Sequence, residues 1–429
     1  MYIRLRKEIK IKKSYMGALI TKYSDEGVEI FDVNPSGLEI LLLCDGTHTE
    51  SEIIEIIRNM YNIDDEYILY NIKSFLEEYF EKEVLEYCEK KERIIINEKG
   101  DENLIIPISL SLELTNSCQL RCVHCFNSSG IMRDNELTVN EFINIAQQFS
   151  ELGTQTIFLT GGEPFIKKDV NKLIDFVAKE FSTVNIASNA YTLEEETIEL
   201  ISKHKNISIQ VSIDGIENTH DKIRGVLGAY NKTIKNIKKL CEFKIPVAIS
   251  FTMNDKNVNE LEGVIKKAKE IGCIGVNIGL TSNSGRAKQN NIPTKIAKNF
   301  ASKLVESHNK FSTPDFFVGL DICETKIKDF FESIEYANKC GAGYNVIHIF
   351  ADGRVSMCPA IKKINLGNVR NQSISEILQH NNIERVMNIP TPTKDICGDC
   401  EQYNMCGNCI ASMLEKSREE CVVIRDIQL

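Results

Sequence analysis

Three cysteines on one short segment are the residues best suited to chemistry in this sequence. Cys118, Cys122 and Cys125 follow a predicted strand, Ile108–Leu114. Thiolates at this spacing can converge on a metal, and because a [4Fe–4S] cluster normally takes four cysteines, a loop with three leaves one iron open. An open coordination position is typical of catalytic metal sites. A partial zinc site is the competing interpretation.

A second group of cysteines lies near the end of the sequence. Its members are Cys340, Cys358, Cys397, Cys400, Cys406, Cys409 and Cys421. Paired Cys-x2-Cys motifs commonly bind zinc, but these seven cysteines would fill one tetrahedral zinc site and leave three over.

The cysteine usage as a whole indicates a reducing compartment. The 429 residues include 15 cysteines, an odd number, and no export signal is visible. In a reducing compartment such a set is expected to bind metal or to take part in catalysis rather than to form disulfides. The other cysteines in apolar contexts are interpreted as small buried side chains; these are Cys44, Cys88, Cys241 and Cys273.

Strands that alternate with helices are predicted from Pro107 onward, and they position the first cysteine group. Six such units predict an α/β fold with a parallel sheet, a partial (β/α)6 barrel of the TIM type, whose chemistry lies at the carboxyl ends of the strands. The predicted strands are Ile108–Leu114, Thr156–Leu159, Val184–Ser188, Ile207–Ile213, Val247–Thr252 and Ile274–Ile278.

Polar residues and glycines follow several of these strands. Glycines allow backbone to approach a ligand closely, and a glutamate can accept from an ammonium group. The competing interpretation is that these residues form ordinary turns and caps. The candidates are Gly161, Gly162 and Glu163 after the second strand, Ser188 and Asn189 after the third, and Ser212 and Asp214 after the fourth.

The region 15–85 predicts a small winged-helix-like unit. Two runs, Met16–Thr21 and Val28–Val33, are predicted to pair as strands. Asn34-Pro35-Ser36-Gly37 introduces an apolar helix, and Thr49 with Glu52 forms a capping box for the next helix. A third helix carries apolar residues from Ile68 to Tyr79 at helical spacing.

Changes of pattern divide the chain into four predicted parts. They are the N-terminal unit at 1–90, the partial barrel at 104–285, a helical bridging region at 286–338 and a cysteine-rich domain at 339–429. In the last part, Val346–Phe350 and Arg354–Met357 are predicted to pair around the turn Asp352-Gly353.

Composition excludes several classes of protein. The formal net charge of −10 argues against nucleic-acid binding, which needs a basic surface. No apolar run reaches the roughly 18 residues that a membrane-spanning helix needs, and the basic segment 1–13 lacks the apolar core of a signal peptide. We therefore expect a cytoplasmic protein without a membrane or nucleic-acid partner.

The spacing of Cys118, Cys122 and Cys125 resembles the signature of the radical S-adenosylmethionine (SAM) superfamily. The resemblance implies that SAM chelates the open iron, and that an electron from the cluster cleaves it to a 5′-deoxyadenosyl radical that abstracts hydrogen from a substrate. It also implies the SAM contacts. These are Phe126 on the adenine, Gly161-Gly162-Glu163 on the methionyl amine, and Ser188, Asn189, Ser212, Asp214 and Arg224 on the carboxylate and ribose. His124 is interpreted as a spacer.

The order of the C-terminal cysteines resembles the SPASM extension, which binds two auxiliary [4Fe–4S] clusters and would bring the total to three. The resemblance implies that Cys397, Cys400, Cys406 and Cys421 hold one cluster, and that Cys340, Cys358 and Cys409 hold the other. Two departures are the Cys406-x2-Cys409 spacing, where many members have three intervening residues, and the missing fourth ligand of the second cluster. Whether Cys323 supplies that ligand or is simply buried stays open.

The N-terminal unit resembles the PqqD-like peptide-recognition element. The matching features are the strand pair, the Asn34-Pro35-Ser36-Gly37 segment, Asp45-Gly46-Thr47 and the two following helices. The resemblance implies β-augmentation, in which a precursor's leader peptide adds to an edge strand at about Gly27–Val33, with helix Asp65–Glu81 as the other wall. A DNA-binding winged helix and a structural cap are the alternatives, and the acidic composition of this unit argues against DNA.

Together the resemblances imply a maturase of the sactipeptide and ranthipeptide type, an oxidoreductase that joins a cysteine sulfur of a precursor peptide to a carbon of the same peptide. Cys340-Gly341-Ala342-Gly343 supports this group. Its electron donor would be a small protein such as flavodoxin or ferredoxin. Alternative reactions are C–C crosslinking, epimerisation, excision and formylglycine formation on a sulfatase. A non-catalytic, metal-binding winged-helix regulator is the rival from another class, and Gly161-Gly162-Glu163 argues against it.

Overall fold

The computed structural model describes residues 1–24, 27–62, 65–282, 284–292, 298–320, 340–393, 397–398, 400, 409–414 and 421. The chain divides into two compact units. The first contains residues 1–106 together with the short segments 151–153 and 378–380, and the second contains the remainder.

The first unit has two small sheets. One has the strand order β5-β1-β6 and the other has the order β4-β3-β2-β7. The strands are β1 (Tyr2–Leu5), β2 (Ile9–Ser14), β3 (Gly17–Ser24), β4 (Gly27–Val33), β5 (Asp45–His48), β6 (Leu85–Cys88) and β7 (Glu98–Gly100). The predicted hairpin is confirmed, because β3 pairs antiparallel with β4, whose outer side is an edge of the sheet in the described part of the chain.

Three helices pack on these sheets, and their starts follow the predicted caps. They are α1 (Pro35–Leu43), α2 (Glu50–Tyr61) and α3 (Glu66–Glu81). The Asn34 side chain accepts from the amide of Gly37, and Thr49 and Glu52 form the predicted capping box. Ile53, Ile57, Ile72, Leu76 and Tyr79 are buried in the core of this unit.

Two apolar side chains of these helices are more exposed than their helical spacing predicts. Met60 is 58% exposed at the end of α2, and Ile68 is 39% exposed at the start of α3. Both lie close to the helix ends that flank residues 63–64, where fewer neighbours surround a side chain than in the middle of a packed helix.

A ten-stranded sheet organises the second unit. Its order is β14-β13-β12-β11-β10-β9-β8-β15-β16-β17, and every pair from β14 to β15 is parallel. The strands are β8 (Ser109–Glu113), β9 (Thr156–Thr160), β10 (Thr183–Ser188), β11 (Ile207–Ser212), β12 (Val247–Met253), β13 (Gly275–Leu280), β14 (Phe317–Leu320), β15 (Val346–Ile349), β16 (Arg354–Ser356) and β17 (Gly367–Asn368).

Helices follow most of the parallel strands and cover the sheet. They are α4 (Val139–Glu151), α5 (Val170–Glu180), α6 (Glu195–Ser202), α7 (Asn218–Arg224), α8 (Ala229–Glu242), α9 (Leu261–Glu270), α10 (Gly285–Gln289), α11 (Lys298–Phe311), α12 (Ile374–Ile377), α13 (His380–Met387) and α14 (Ile410–Leu414). Short 3-10 helices span Pro164–Ile166 and Val258–Glu260.

The six predicted barrel strands are all present, and the α/β fold with a parallel sheet is confirmed. The sheet extends further than predicted, because β14 pairs with β13 and β15 pairs in parallel with β8. The region 286–338 was predicted to be helical, so the strand β14 within it was missed. The predicted hairpin around Gly353 is confirmed as β15 and β16, but its place beside β8 was not foreseen.

In the described part of the chain, every helix is too short or too polar to cross a bilayer.

Candidate functional site

The loop after β8 carries Cys118, Cys122 and Cys125 to one cavity. All three line this cavity, which has a volume of about 290 Å³ and lies at the carboxyl ends of the parallel strands. The loop closes on itself, because the amide of Cys118 donates to the carbonyl oxygen of Gly130 at 3.1 Å. Cys118 and Cys122 are only 8% exposed.

The thiols are held in surroundings that disfavour their ionisation. Burial raises the pKa of Cys118 to about 11 and also raises the pKa of Cys122. Two groups partly offset this effect on the pKa: the backbone of Leu120 for Cys118, and Arg224, whose Nη1 lies 3.5 Å from the sulfur, for Cys122. The Asn189 side-chain amide also lies 3.6 Å from the sulfur of Cys118. Buried thiolates need further positive charge, which the irons of a cluster would provide.

Helix α10 anchors the outer side of the cysteine loop. Arg286 Nε donates to the carbonyl oxygen of Cys122 at 2.7 Å, and its Nη1 donates to that of Ser129 at 2.7 Å. The amide of Arg286 donates to Cys125 O at 2.9 Å. Gly285 has φ +54°, and a Cβ there would lie 2.3 Å from the carbonyl oxygens of Cys125 and Phe126, so only glycine fits this approach.

The end of α7 anchors the inner side of the loop. The amide of Arg121 donates to Arg224 O at 2.9 Å, and the amide of Val123 donates to Ile223 O at 2.8 Å. Gly225 caps the helix with φ +73°, and a Cβ at this position would lie 2.8 Å from Arg121 O. The loop is therefore hydrogen-bonded along its backbone on both sides before any cofactor is considered.

Arg224 points into the cavity with its charge fixed by Asp214. Arg224 Nη2 lies 2.6 Å from Asp214 Oδ2, and both side chains are buried. Burial opposes both charges, but their attraction outweighs it, so the pKa of Asp214 is lowered and the pKa of Arg224 is raised. Asp214 does not itself line the cavity and acts through Arg224, whereas Ser212 on the same strand does line it.

Glu163 also lies behind the cavity wall. Its carboxylate accepts from Ser188 Oγ at 2.7 Å and from the amides of Asn189 at 2.8 Å and Phe165 at 3.2 Å. Burial raises its pKa to about 7 in spite of these donors. Glu163 is fully buried and is not among the residues that line the cavity, so the predicted contact to a methionyl amine stays a prediction. In this structure Glu163 positions Ser188 and Asn189, which do line it.

The two glycines before Glu163 have a packing role that the sequence analysis did not identify. A Cβ at Gly161 would lie 2.6 Å from Thr115 O, and a Cβ at Gly162 would lie 2.1 Å from Ser117 O. The amide of Gly162 donates to Thr115 O at 2.6 Å. These glycines therefore let the loop after β9 lie against the loop that carries the cysteines, and both also line the cavity.

The cavity fits a cluster with SAM. Phe126 lines it with 37% of its surface exposed, and the ends of β10, β11 and β12 contribute polar side chains. Within the described part of the chain, Ser129 Oγ and Arg224 Nε are buried there without a hydrogen-bond partner. Unpartnered buried donors at a cavity wall are costly unless a ligand satisfies them. Of the predicted SAM contacts, Glu163 and Asp214 lie behind the wall and the others line it.

The described C-terminal cysteines lie in the second unit. Burial raises the pKa of Cys397, and the charges of Cys400 and Cys421 raise it further. That these cysteines hold one cluster stays a prediction. Cys340, Cys358 and Cys409 are each half-buried. Cys406 and Cys323 lie outside the described residues.

Among the described residues, no three His, Cys, Asp or Glu side chains are arranged to hold one metal ion in common. A [4Fe–4S] cluster distributes its cysteines over different irons and does not need that arrangement. Of the remaining cysteines, Cys44 and Cys273 are buried as expected, whereas Cys88 and Cys241 are half-buried.

Arg286 is the main site residue that sequence reasoning missed. It is the second residue of α10, which follows β13. The other candidates were also chosen because they follow the ends of strands. Its side chain donates to backbone carbonyl groups of a loop far away in the sequence, and no local pattern reveals such a contact.

Three known families match separate parts of this sequence. The radical SAM superfamily matches residues 112–268. The iron–sulfur cluster-binding domain SPASM matches residues 340–410. Coenzyme PQQ synthesis protein D (PqqD) matches residues 23–85. These matches fall on the three segments that the motifs identified.

Two proteins of Bacillus subtilis (strain 168) are similar in sequence. The sporulation killing factor maturation protein SkfB is 32% identical over 280 residues, which are 65% of this chain and 66% of the relative. The antilisterial bacteriocin subtilosin biosynthesis protein AlbA is 26% identical over 403 residues, which are 91% of this chain and 86% of the relative.

Solved structures share the fold. SuiB of Streptococcus suis, bound to its precursor peptide SuiA, superposes with a TM-score of 0.68 over 100% of both chains at 15% identity. The protein anSMEcpe with bound AdoMet superposes with a TM-score of 0.55 over 74% of this chain and 94% of the other, at 17% identity. At these identities the likeness shows the fold alone.

Proposed function

We propose that this chain, a member of the radical SAM superfamily with a SPASM domain and a PqqD-like domain, modifies a ribosomally synthesised precursor peptide. The modification would form thioether bonds, each between a cysteine sulfur and a carbon of the same peptide. The chain's cofactors are SAM and [4Fe–4S] clusters, three by the cysteine count. The observation that carries the proposal is that AlbA, a bacteriocin biosynthesis protein, matches 91% of the chain, including the N-terminal unit.

The N-terminal unit distinguishes this proposal from other radical SAM functions. The AdoMet-dependent heme synthase of Methanosarcina barkeri is 27% identical over 325 residues, but these are only 71% of this chain. The PqqD match at residues 23–85 gives the chain an additional domain whose edge strand β4 suits an extended peptide. A peptide substrate explains this domain, whereas a porphyrin substrate does not.

Cys118, Cys122 and Cys125 would hold the SAM-binding cluster, and the polar strand ends would hold SAM. When bound, this pair supplies hydrogen-atom abstraction from a peptide carbon. The protein's residues perform positioning and charge compensation. Arg224 brings a fixed positive charge for a carboxylate, Asp214 keeps that charge in place, and Phe126 lines the cavity with an aromatic side chain.

Thioether formation also requires removal of an electron. The carbon loses a hydrogen atom to the 5′-deoxyadenosyl radical, and the cysteine thiol loses a proton. When the thiolate sulfur bonds to the carbon radical, one electron is left over and must pass to an acceptor. The clusters of the SPASM domain would accept this electron, with Cys397, Cys400, Cys406 and Cys421 as ligands of one cluster and Cys340, Cys358 and Cys409 as ligands of the other. A flavodoxin or ferredoxin would supply the electron that starts the reaction. Clusters of this kind favour a reducing compartment, for which we propose the cytoplasm.

We propose that the leader of the precursor binds by β-augmentation at β4. Glu29 and Ile30 on this strand are exposed, and the strand is the edge of its sheet in the described residues. Main-chain hydrogen bonds along such an edge bind a part of the peptide that does not react, and this binding energy can be spent on catalysis.

The proposal is tested with protein reconstituted anaerobically and a cysteine-containing peptide encoded beside its gene. We expect SAM cleavage and a product lighter by two hydrogen atoms per crosslink, in which the cysteine resists thiol alkylation. Wild-type protein should carry about 12 iron atoms, and the variant with Cys118, Cys122 and Cys125 changed to alanine about 8, with no SAM cleavage. Protein that contained zinc without iron, or an unchanged peptide mass despite SAM cleavage, would contradict the proposal.

A further inference from the structure

A second cavity adjoins the one that holds the cysteine loop. It has a volume of about 230 Å³ and lies between the start of α10 and the C-terminal part of the same unit. Phe126 lines both cavities, so this residue is a shared part of their walls. Part of the second cavity is apolar, through Ile361, Ala411 and Leu414.

The charged residues of this cavity are all basic. Lys288, Lys362 and Lys363 line it, and no Asp or Glu is among its lining residues in the described part of the chain. None of the three lysines forms an ion pair with a described carboxylate. Lys363 Nζ instead donates to the carbonyl oxygen of Leu414 at 3.4 Å. The whole chain carries a formal net charge of −10, so three lysines without a carboxylate among the described lining residues are a local exception.

Lys362 is held at the boundary between the two cavities. Its Nζ donates to Asn127 Oδ1 at 3.1 Å, and Asn127 lines the first cavity. Glu113 fixes the orientation of the Asn127 side-chain amide, because Asn127 Nδ2 donates to Glu113 Oε2 at 2.8 Å. Arg133 Nη1 lies 2.9 Å from Glu113 Oε1 and compensates the carboxylate's charge. Glu113 therefore fixes the position of Lys362 through Asn127, while its own charge is matched by Arg133.

We propose that this second cavity binds a carboxylate of the precursor peptide, next to the residue that reacts in the first cavity. Lys362, Lys363 and Lys288 provide the positive charge, and Ile361 and Leu414 pack on the aliphatic part of the bound residue. The inference rests on the proposed peptide substrate and specifies its chemistry. The carboxylate belongs either to an Asp or Glu side chain or to the C-terminus of the peptide.

The shared wall makes simultaneous occupation by one peptide feasible. An extended chain advances about 3.3–3.6 Å per residue, so side chains one or two positions apart can enter two cavities that share Phe126 in their walls. A carboxylate bound by lysines would fix the register of the peptide. It would thereby select which carbon faces the first cavity, a selection that main-chain hydrogen bonds to the leader do not make by themselves.

Three synthetic probes test the proposal with the reconstituted, full-length protein. They are the acetylated and amidated peptide Gly-Ala-Cys-Ala-Asp-Gly, its counterpart with Asn in place of Asp, and the Asn peptide with a free C-terminal carboxylate. Dissociation constants are measured by saturation-transfer NMR at low and high salt. We expect a carboxylate-bearing probe to bind about tenfold more tightly than the neutral probe, as charge-assisted hydrogen bonds predict, and to lose most of this preference in salt. The probe that shows the preference identifies the source of the carboxylate.

Substitutions assign the preference to the cavity. Lys362→Met with Lys363→Met should abolish it, whereas Lys362→Arg with Lys363→Arg should retain it. Lys235→Met on α8 is the matched control for removal of a surface lysine. Equal affinities of all three probes for the wild-type protein, or a preference that the double Met variant keeps, would overturn the proposal. SAM cleavage by the wild-type protein without peptide reports on the proposed function separately.

Discussion

The Arg286 guanidinium donates to the carbonyl oxygen of Cys122 at 2.7 Å although 164 positions separate the two residues in the sequence. The contact joins the last predicted βα unit of the barrel to the loop after the first one. A second bond from the same side chain reaches Ser129 O, so one residue holds the loop at two points. The shape of the cysteine loop therefore depends on a side chain that enters the fold late in the sequence.

We expect Arg286→Met to weaken retention of the loop's cluster. The variant leaves the carbonyl oxygens of Cys122 and Ser129 without their charged donor, at a cost of about 1.5–3 kcal/mol for each bond. The measurement is the rate of iron release to a chelator under anaerobic conditions. About 4 of about 12 iron atoms should leave faster than in the wild type. Lys288→Met, two positions along the same helix and exposed, is the control. Equal release rates for the two variants would show that Arg286 does not stabilise the loop.

A second prediction concerns Arg224 and Asp214, which form a buried pair 2.6 Å apart. Asp214→Asn leaves the Arg224 charge buried without its partner and should lower the free energy of unfolding by about 3–5 kcal/mol. The double variant with Arg224→Met and Asp214→Leu should recover much of this loss, because both charges are removed together. It should nevertheless fail to bind SAM. Denaturant unfolding gives the first quantity and equilibrium dialysis gives the second. Additive destabilisation, or normal SAM binding by the double variant, would contradict the assigned role.

The sequence predicted the parts of the site that local pattern determines. Each barrel strand is a short apolar run, and the polar residues after it lie at the carboxyl end of the sheet because parallel strands share that edge. The arrangement behind the wall was not predictable. Glu163 and Asp214 have the expected positions in the sequence, but their carboxylates bind protein donors instead of facing the cavity.

Strand neighbours were the other feature that the sequence left undetermined. Strand β15 was expected in a separate C-terminal hairpin, yet its residue Ile347 pairs with Leu110 of β8. An apolar run of four residues indicates a strand without indicating its partner, because the partner is chosen by long-range packing. The basic strand β2 was likewise missed, since its alternating lysines and isoleucines resemble a solvated tail as much as an edge strand.

His348 provides a prediction about pH. It is buried in β15, where Nδ1 lies 2.9 Å from Ser111 Oγ, and burial together with the charge of Arg133 lowers its pKa to about 3. The unfolded chain has the ordinary histidine pKa of about 6.5, so it binds the proton first as the pH falls. The stability that the neutral ring contributes is complete above pH of about 6.5 and is lost progressively toward pH of about 3. At pH 5 the loss should amount to about 2 kcal/mol.

The His348→Gln variant tests this prediction. The variant should have a lower free energy of unfolding than the wild type at pH 7.5, because a packed ring is lost. The difference between the two proteins should be about 2 kcal/mol smaller at pH 5, because only the wild type loses stability through protonation of His348 in its unfolded chain. Urea unfolding at both pH values gives the two differences. His204→Gln, at the half-buried end of α6, reports the effect of removing a histidine outside the sheet. A difference that stays constant between the two pH values would show that His348 does not resist protonation.

The last prediction uses the geometry of β4 to test peptide recognition. Successive N–H groups of a strand point to opposite sides, so of Glu29 and Ile30 one donates toward β3 and the other points outward. Proline removes the N–H at either position. The proline that removes the N–H directed at β3 should break a hydrogen bond of the sheet and lower the melting temperature. The proline that removes the outward N–H should leave folding and the rate of SAM cleavage unchanged. It should slow modification of the full precursor at least about tenfold, because a main-chain hydrogen bond to the leader is lost. Melting temperature, SAM cleavage and product mass are measured for Glu29→Pro and Ile30→Pro. A leaderless core peptide serves as the control substrate and should not distinguish the outward variant from the wild type. If the well-folded variant modifies the full precursor as fast as the wild type, β4 is not the strand that receives the leader.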